Sequence, residues 1–252
     1  MSNDDNALIT KRHLQFFDTA LQDTLKVVVC ETIKPEYGLY MWPCSVVLAQ
    51  YIWYHRESIL RGRTCLEIGA GTGLPSIVAL KCANPNFVIV TDKISCARTS
   101  FEENGITTFK ANSTHSMDYP VLFLDIKWGC FTTELLNISL FTNNKIFPEV
   151  ILGSDCFYDP MVFDEILSTV YFLLKSCSEA PNHGHNCPKF LCTYQTRSAD
   201  WKITDQLERW NMEAVHIPLE SFDAGGINIA ASGMPGSQSI QMMEITLKRF
   251  CT

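Results

Sequence analysis

The chain has no run of the ~18 consecutive apolar residues that a membrane helix requires, so no membrane-spanning segment is expected. It also lacks a basic excess: 20 Lys and Arg stand against 27 Asp and Glu, a formal charge of −7. That balance carries no strong electrostatic footprint for a nucleic-acid backbone, and direct nucleic-acid binding is not expected. The stretch Met1–Thr10 is polar and acidic, without the apolar core of a secretory signal. There is no pair of Cys-x-x-Cys knuckles, which argues against a zinc ribbon. Eleven cysteines are present all the same. With no export signal they are expected as reduced thiols, serving as small hydrophobes in a cytosolic or nuclear protein.

What is present is globular: 252 residues, 46% apolar and 19% charged. A chain of this length buries roughly three quarters of its unfolded surface and needs no disulfide staples. Its acidic excess suits a cationic partner such as a basic protein tail. Residues 1–36 read as an N-terminal extension, a disordered tip followed by strand-like additions such as Leu25–Val29. From residue 37 to 252 the chain reads as one domain. A helix is predicted over Pro43–Glu57, with proline in its first turn. Strands are expected at Thr64–Ile68, Phe87–Thr91, Thr107–Lys110, Val121–Lys127, Glu149–Ser154, Lys189–Tyr194, Met212–Ile217 and Ser239–Lys248. Helices are expected at Pro75–Ala83, Ser95–Asn104, Met161–Leu174 and Asp200–Trp210, with a helical or irregular insert at Thr132–Leu140. Such alternation predicts an α/β fold, a mostly parallel sheet with helices on both faces.

The densest signal is Cys65-Leu66-Glu67-Ile68-Gly69-Ala70-Gly71-Thr72-Gly73-Leu74-Pro75. An apolar strand enters three glycines in G-x-G-x-G spacing and leaves into a helix. Glycines allow the sharp turn and let a ligand press on the main chain at the carboxyl edge of a sheet. A dinucleotide site would place its third glycine at position 74, which is Leu74. The carboxylate of Glu67 beside the loop would repel a pyrophosphate but suits an amino-acid ammonium. Asp92, at the tip of the second strand, is placed to accept hydrogen bonds from a ribose diol. The combination points to S-adenosylmethionine, whose methionine end is zwitterionic.

With these residues in place the chain resembles the class I S-adenosylmethionine-dependent methyltransferases, in particular the methyltransferase-like group called family 16. Gly38-Leu39-Tyr40-Met41-Trp42-Pro43-Cys44 resembles the group's entry to its first helix, and Asp125-Ile126-Lys127-Trp128-Gly129 its Trp-Gly element. Gly153-Ser154-Asp155-Cys156-Phe157-Tyr158 is similar to its signature at the fourth strand. The tail segments 193–201 and 215–223 resemble one branch of the group. The resemblance covers roughly residues 37–248. It implies a Rossmann-like sheet of seven strands, the last antiparallel, and cofactor contacts at Trp42, Glu67, Gly69, Gly71, Asp92, Trp128 and Ser154. Ala70, Gly73 and Lys93 belong to the same loop and strand tip. S-adenosylhomocysteine would be the product. Two departures stand out: Ser154 replaces the group's usual alanine, and Asn112–Asp125 does not match its pattern.

Methyl transfer from a sulfonium needs an aligned, unprotonated nucleophile and exclusion of water. Asp155 and Tyr158 are the candidate catalytic residues, the acid to position a cationic side chain or accept its proton, the ring to wall the channel. Asp155 has a plainer role open to it, as cap of the helix that Asp159-Pro160 begins. Tyr194, Gln195 and Glu220 are candidate substrate contacts, with Arg197 pairing to Asp200 or Glu220. Cys177, His183, His185 and Cys187 match no established zinc spacing, and no metal is expected. The branch resemblance implies a nuclear and cytoplasmic enzyme that methylates protein arginine, with histone tails the leading substrate and a link to transcription regulation. A lysine methyltransferase acting on a chaperone or other protein shares every cofactor motif. A scaffold that binds the cofactor without turnover and contacts chaperone or transcription complexes is the third reading. A nucleic-acid methyltransferase fits less well, because its Asn/Asp-Pro-Pro-Tyr/Phe signature is replaced by Ser154-Asp155-Cys156-Phe157.

Overall fold

The computed structural model describes residues 8–32, 39–92, 96–110, 121–142, 147–180, 187–198, 203–236 and 239–248. Two antiparallel strands, β1 (Ile9–Asp18) and β2 (Asp23–Thr32), form a separate hairpin. The strands β3 (Thr64–Ile68), β4 (Phe87–Thr91), β5 (Phe109–Lys110), β6 (Val121–Leu124), β7 (Val150–Ser154), β8 (Lys189–Gln195), β9 (Met212–His216) and β10 (Ile240–Leu247) form one sheet. Their order is β5-β6-β4-β3-β7-β8-β10-β9, parallel in every pair except those of β10, which runs antiparallel to both its neighbours. The expected seven strands are there with the last antiparallel. The eighth, β5, is a two-residue addition at one edge.

Helices cover both faces, as the strand–helix alternation predicts. On one side lie α1 (Pro43–Tyr54), α2 (Leu74–Cys82) and α3 (Ala97–Glu103). On the other lie the short α4 (Thr133–Leu136), α5 (Phe163–Glu179) and α6 (Ile203–Arg209). α5 begins later and runs longer than its apolar run suggested, and buries Phe163, Ile166, Leu167, Val170, Leu173 and Leu174 as one stripe. α1 is apolar on all sides because it is covered on all sides: ten of its twelve residues are buried. The strand expected over Val121–Lys127 stops at Leu124, and the next four residues turn out of the sheet toward its carboxyl edge.

In the N-terminal region β1 and β2 stand where strand-like additions are expected; residues 1–7, where the tip is expected, and 33–38 lie outside the described residues. Strand alternation sends Leu14, Phe16, Leu25, Val27 and Val29 inward to the same core as α1 and α2. The Phe16 and Trp53 rings lie 6.4 Å apart. Asn104, at the end of α3, donates to Val28 O at 2.6 Å and accepts from Val28 N at 3.1 Å, so one amide completes β2's edge. Arg56 closes the other end, donating to Asp18 at 2.7 Å while lying 4.1 Å over the Trp53 ring.

The chain crosses the sheet between β3 and β7, neighbours whose outgoing connections lead to opposite faces. A cleft opens at their carboxyl ends, as sheet topology requires at a switch point.

Candidate functional site

The cleft is a cavity of about 810 Å³, within the range of small-molecule sites. Its floor is the loop between β3 and α2. Gly69, Gly71 and Gly73 all have positive φ, at 58°, 53° and 74°. The loop is tied down by Ala70 N–H donating to Thr91 O at 3.0 Å and Gly71 N–H donating to Asp92 Oδ2 at 2.5 Å. Asp92 thus stands at the end of β4 with its carboxylate braced against the loop.

Two tryptophans flank the floor. Trp42 is the N-cap of α1, its backbone extended at φ −91° and ψ 150°, with Pro43 next in line to start the helix. Trp128 follows β6 and lies so close to Gly69 that a Cβ there would stand 2.8 Å from its ring. Gly129 fixes this pose. Its N–H donates to Thr169 Oγ1 at 2.9 Å, and any side chain would collide with Glu165 of α5.

The opposite wall comes from β7 and β8. Gly153 is required because the Phe190 ring of the neighbouring strand would meet a Cβ at 2.8 Å. Ser154 reaches the wall next. Asp155 then takes a left-handed backbone, φ 53°, and its N–H donates to Thr193 O at 2.7 Å. Aspartate tolerates this conformation better than most residues, but holding it still costs. Its carboxylate receives Arg197: Nη1 to Oδ1 at 3.0 Å and Nη2 to Oδ2 at 2.8 Å. Asp155 therefore does not cap the helix that follows; Asp159 does, accepting from Met161 N–H at 3.0 Å. The expected pairing of Arg197 with Asp200 lies outside the described residues. Tyr158 stands half exposed on the rim.

Ten of the sequence-derived residues share this wall: Trp42, Gly69, Ala70, Gly71, Asp92, Trp128, Ser154, Asp155, Tyr158 and Gln195. Four do not. Glu67 is fully buried beneath the loop, where Oε2 accepts from the N–H and the Oγ–H of Ser76 in the first turn of α2. Burial pushes its carboxyl up to about 8 against the lowering by Ser76, and its Oε1 has no hydrogen-bond partner among the described residues. Gly73 turns toward α3, where a Cβ would meet Phe101 and Ala97. Tyr194 points to the opposite face of β8 from Thr193, its ring 6.2 Å from Phe157. Glu220 sits in a single 3₁₀ turn, Leu219–Phe222. That turn is held by Gln50 and Tyr51, about 12 Å along α1 from the Trp42 end. Lys93, His183 and His185 lie outside the described residues, while Cys177 is buried with its thiol toward Phe147 O at 3.7 Å.

The wall also contains Tyr40, Lys127 and Glu165, which sequence reasoning did not single out. Glu165 reads in sequence as an ordinary acid in a helix's first turn. Only the docking of Gly129 on α5 brings it to the rim.

The residues present fit an S-adenosylmethionine site on their own terms. The glycine floor admits close approach of a ligand, the carboxylate of Asp92 suits a diol, and the orphaned Oε1 of Glu67 is a buried acceptor under the loop. Trp42 and Trp128 offer aromatic faces to a sulfonium cation.

Comparison with known proteins agrees. A family model described as "Lysine methyltransferase" matches residues 21–208. The chain is 38% identical to "Histone-arginine methyltransferase METTL23" of Xenopus laevis over 99% of this chain and 97% of that protein. It is 37% identical to the Mus musculus protein of the same name, over 89% of this chain and 79% of that one. The branch indicated by the tail segments is therefore that of methyltransferase-like protein 23. More distant is "Protein-lysine N-methyltransferase EEF2KMT" of Homo sapiens, 28% identical over 71% of this chain and 53% of that one. Among solved structures, the T. Thermophilus 16S rRNA N2 G1207 methyltransferase, in complex with AdoMet and guanosine, superposes with a TM-score of 0.55 at 12% identity. It covers 95% of this chain and 51% of that one, and shows the fold. The chain belongs to this family of S-adenosylmethionine-dependent methyltransferases.

Proposed function

We propose that this enzyme methylates arginine side chains of proteins, with histone tails as the substrate class and a role in transcription regulation in nucleus and cytoplasm. The observation that carries the reading is the 38% identity, over nearly the whole of both chains, to a histone-arginine methyltransferase. The acidic excess, net −7, suits attraction of a basic tail.

The bound cofactor supplies an electrophilic methyl group on sulfur. The chain's own residues do the rest. Asp92 and the glycine floor hold the nucleoside and methionine ends, while Trp42 and Trp128 close the sides and exclude water. Asp155 would receive the substrate's cationic side chain, orient its nitrogen toward that methyl group and accept the proton the nitrogen loses on methylation. A guanidinium is protonated at all working pH values, so this carboxylate has a defined task. Tyr158 walls the entrance.

Lysine is the second reading. It is favoured by the description of the matching family and by lysine-methylating relatives such as EEF2KMT. The deciding experiment incubates the purified protein with methyl-labelled S-adenosylmethionine, histones and cell extract, and locates the label by mass spectrometry. Label on arginine, lost in a Gly71→Arg/Asp92→Ala control, is the expected outcome. Label confined to lysine replaces the residue choice, and cofactor binding without label on any protein favours the scaffold reading.

A further inference from the structure

The buried carboxylate on the cavity wall is not bare. Arg197, just beyond β8, turns back over the cavity and engages both oxygens of Asp155, at 3.0 and 2.8 Å. The Asp155 side chain is 8% exposed and that of Arg197 30%. Two parallel N–H···O bonds between fork and fork are the geometry by which a carboxylate distinguishes a guanidinium from a point-like ammonium. The other carboxylates on the wall are differently employed. Asp92 is braced by the glycine loop, and Glu165 stands exposed on the rim. The acid best placed to receive a substrate's cation therefore already holds one, and that cation belongs to the same chain.

We infer that Arg197 is a specificity-determining residue, a resident guanidinium that occupies on Asp155 the place of the substrate's guanidinium and is exchanged for it. This rests on the reading of Asp155 as the acceptor of the substrate's cationic side chain. Exchange has a physical advantage over an open site. A buried carboxylate left without a partner is strongly destabilised, and swapping one bidentate partner for another keeps it paired in both states. Exchange also sets a threshold. An arginine restores both bonds that Arg197 gives up, whereas a lysine ammonium makes a point contact and does not. The resident cation lowers the apparent affinity of both by the same factor, so a guanidinium still occupies the site at concentrations where an ammonium does not.

The test uses two small probes, methylguanidinium and methylammonium, titrated calorimetrically into the full-length protein saturated with S-adenosylhomocysteine. In Arg197→Gln, methylguanidinium is expected to bind at least tenfold more tightly than in the wild type. The same fold gain is expected for methylammonium, starting from a weaker wild-type affinity, and both gains should be abolished in Arg197→Gln/Asp155→Asn. With an arginine peptide, the KM of Arg197→Gln should fall. If Arg197→Gln folds poorly, Arg197→Lys keeps the charge and loses the fork, and should lie between wild type and Arg197→Gln in probe affinity. Unchanged or weaker methylguanidinium binding in a variant that retains the wild-type Tm and cofactor affinity overturns the inference, and marks Arg197 as a support for Asp155. The two levels of the account separate cleanly. Failure of the proposed function appears as no label on arginine from the wild type, with the probe difference intact. Failure of the inference appears as label on arginine with the probe difference absent.

Discussion

The Trp128 ring lies directly against the Cα of Gly69: a Cβ at that position would stand 2.8 Å from ring carbon Cζ2, on a backbone with φ of 58°. One contact joins the end of β6 to the loop after β3, and it explains why the first glycine of the loop and the tryptophan of the Trp-Gly element occur in the same protein.

Gly69→Ala therefore meets two obstacles. The left-handed backbone costs a non-glycine residue about 1–2 kcal/mol, and the new methyl displaces Trp128 from the cavity wall. The expected result is a lower Tm in the unliganded protein and loss of the stabilisation that saturating cofactor gives the wild type. That stabilisation is about 2.7 kcal/mol at a hundredfold excess over Kd. Thermal denaturation with and without S-adenosylmethionine measures both. A full cofactor shift in the variant would show that the contact does not shape the site.

Glu67 gives the unliganded enzyme a pH signature. Its carboxyl is pushed by burial from its ordinary 4.5 up to about 8. Between those values the folded state binds a proton that the unfolded chain has released, so stability falls as pH rises from 5 to 8. The slope is at most about 1.4 kcal/mol per pH unit for one proton. Glu67→Gln should flatten this component, and Tm measured against pH for both proteins checks it. Parallel curves would mean that Glu67 is ionised throughout.

The hairpin should behave as part of the core. Phe16 is fully buried beside Trp53. Phe16→Ala is expected to cost about 3–5 kcal/mol, which lowers Tm by roughly 6 to 20 °C in a chain of this size. A change near zero would show the hairpin to be dispensable to stability.

Tyr158, 41% exposed, stands on the rim of the cavity rather than its floor, and in the proposed function it walls the substrate's entrance. Tyr158→Ala should raise the KM for protein substrate on the order of tenfold, the scale of a truncated contact aromatic. The Kd for the cofactor should stay near its wild-type value. An equal loss in both would move Tyr158 into the cofactor site.

The sheet and the cofactor end of the cavity were legible because their signals are local. A fully buried strand, a G-x-G-x-G loop and an acid at the next strand's tip read directly from the chain. Three of the expected contacts lie off the cavity wall, for physical reasons. Glu67 reads as a cofactor contact beside the loop, but a strand buried on both faces gives no alternation to say which way a side chain turns. Tyr194 and Gln195 differ by one step of strand parity: Gln195 reaches the cavity and Tyr194 the opposite face. Glu220 depended on where a turn docks along α1, and the Asp155–Arg197 pair joins residues 42 apart in sequence; neither leaves a local trace. β1 has a weaker sequence signal than β2 because its outward face, with Ile9 and Phe17 exposed, obscures the inward Leu14 and Phe16.

The most direct test of the central claim is the Kd of S-adenosylmethionine for the wild type and for Asp92→Ala, followed by tryptophan fluorescence. The account predicts saturable binding at one site, quenching of the flanking Trp42 and Trp128, and competition by S-adenosylhomocysteine. Asp92→Ala should weaken binding at least tenfold, since a hydrogen bond to a charged group is worth about 1.5–3 kcal/mol. An unchanged Kd in a folded Asp92→Ala would contradict the placement of the cofactor between the glycine loop and the two tryptophans.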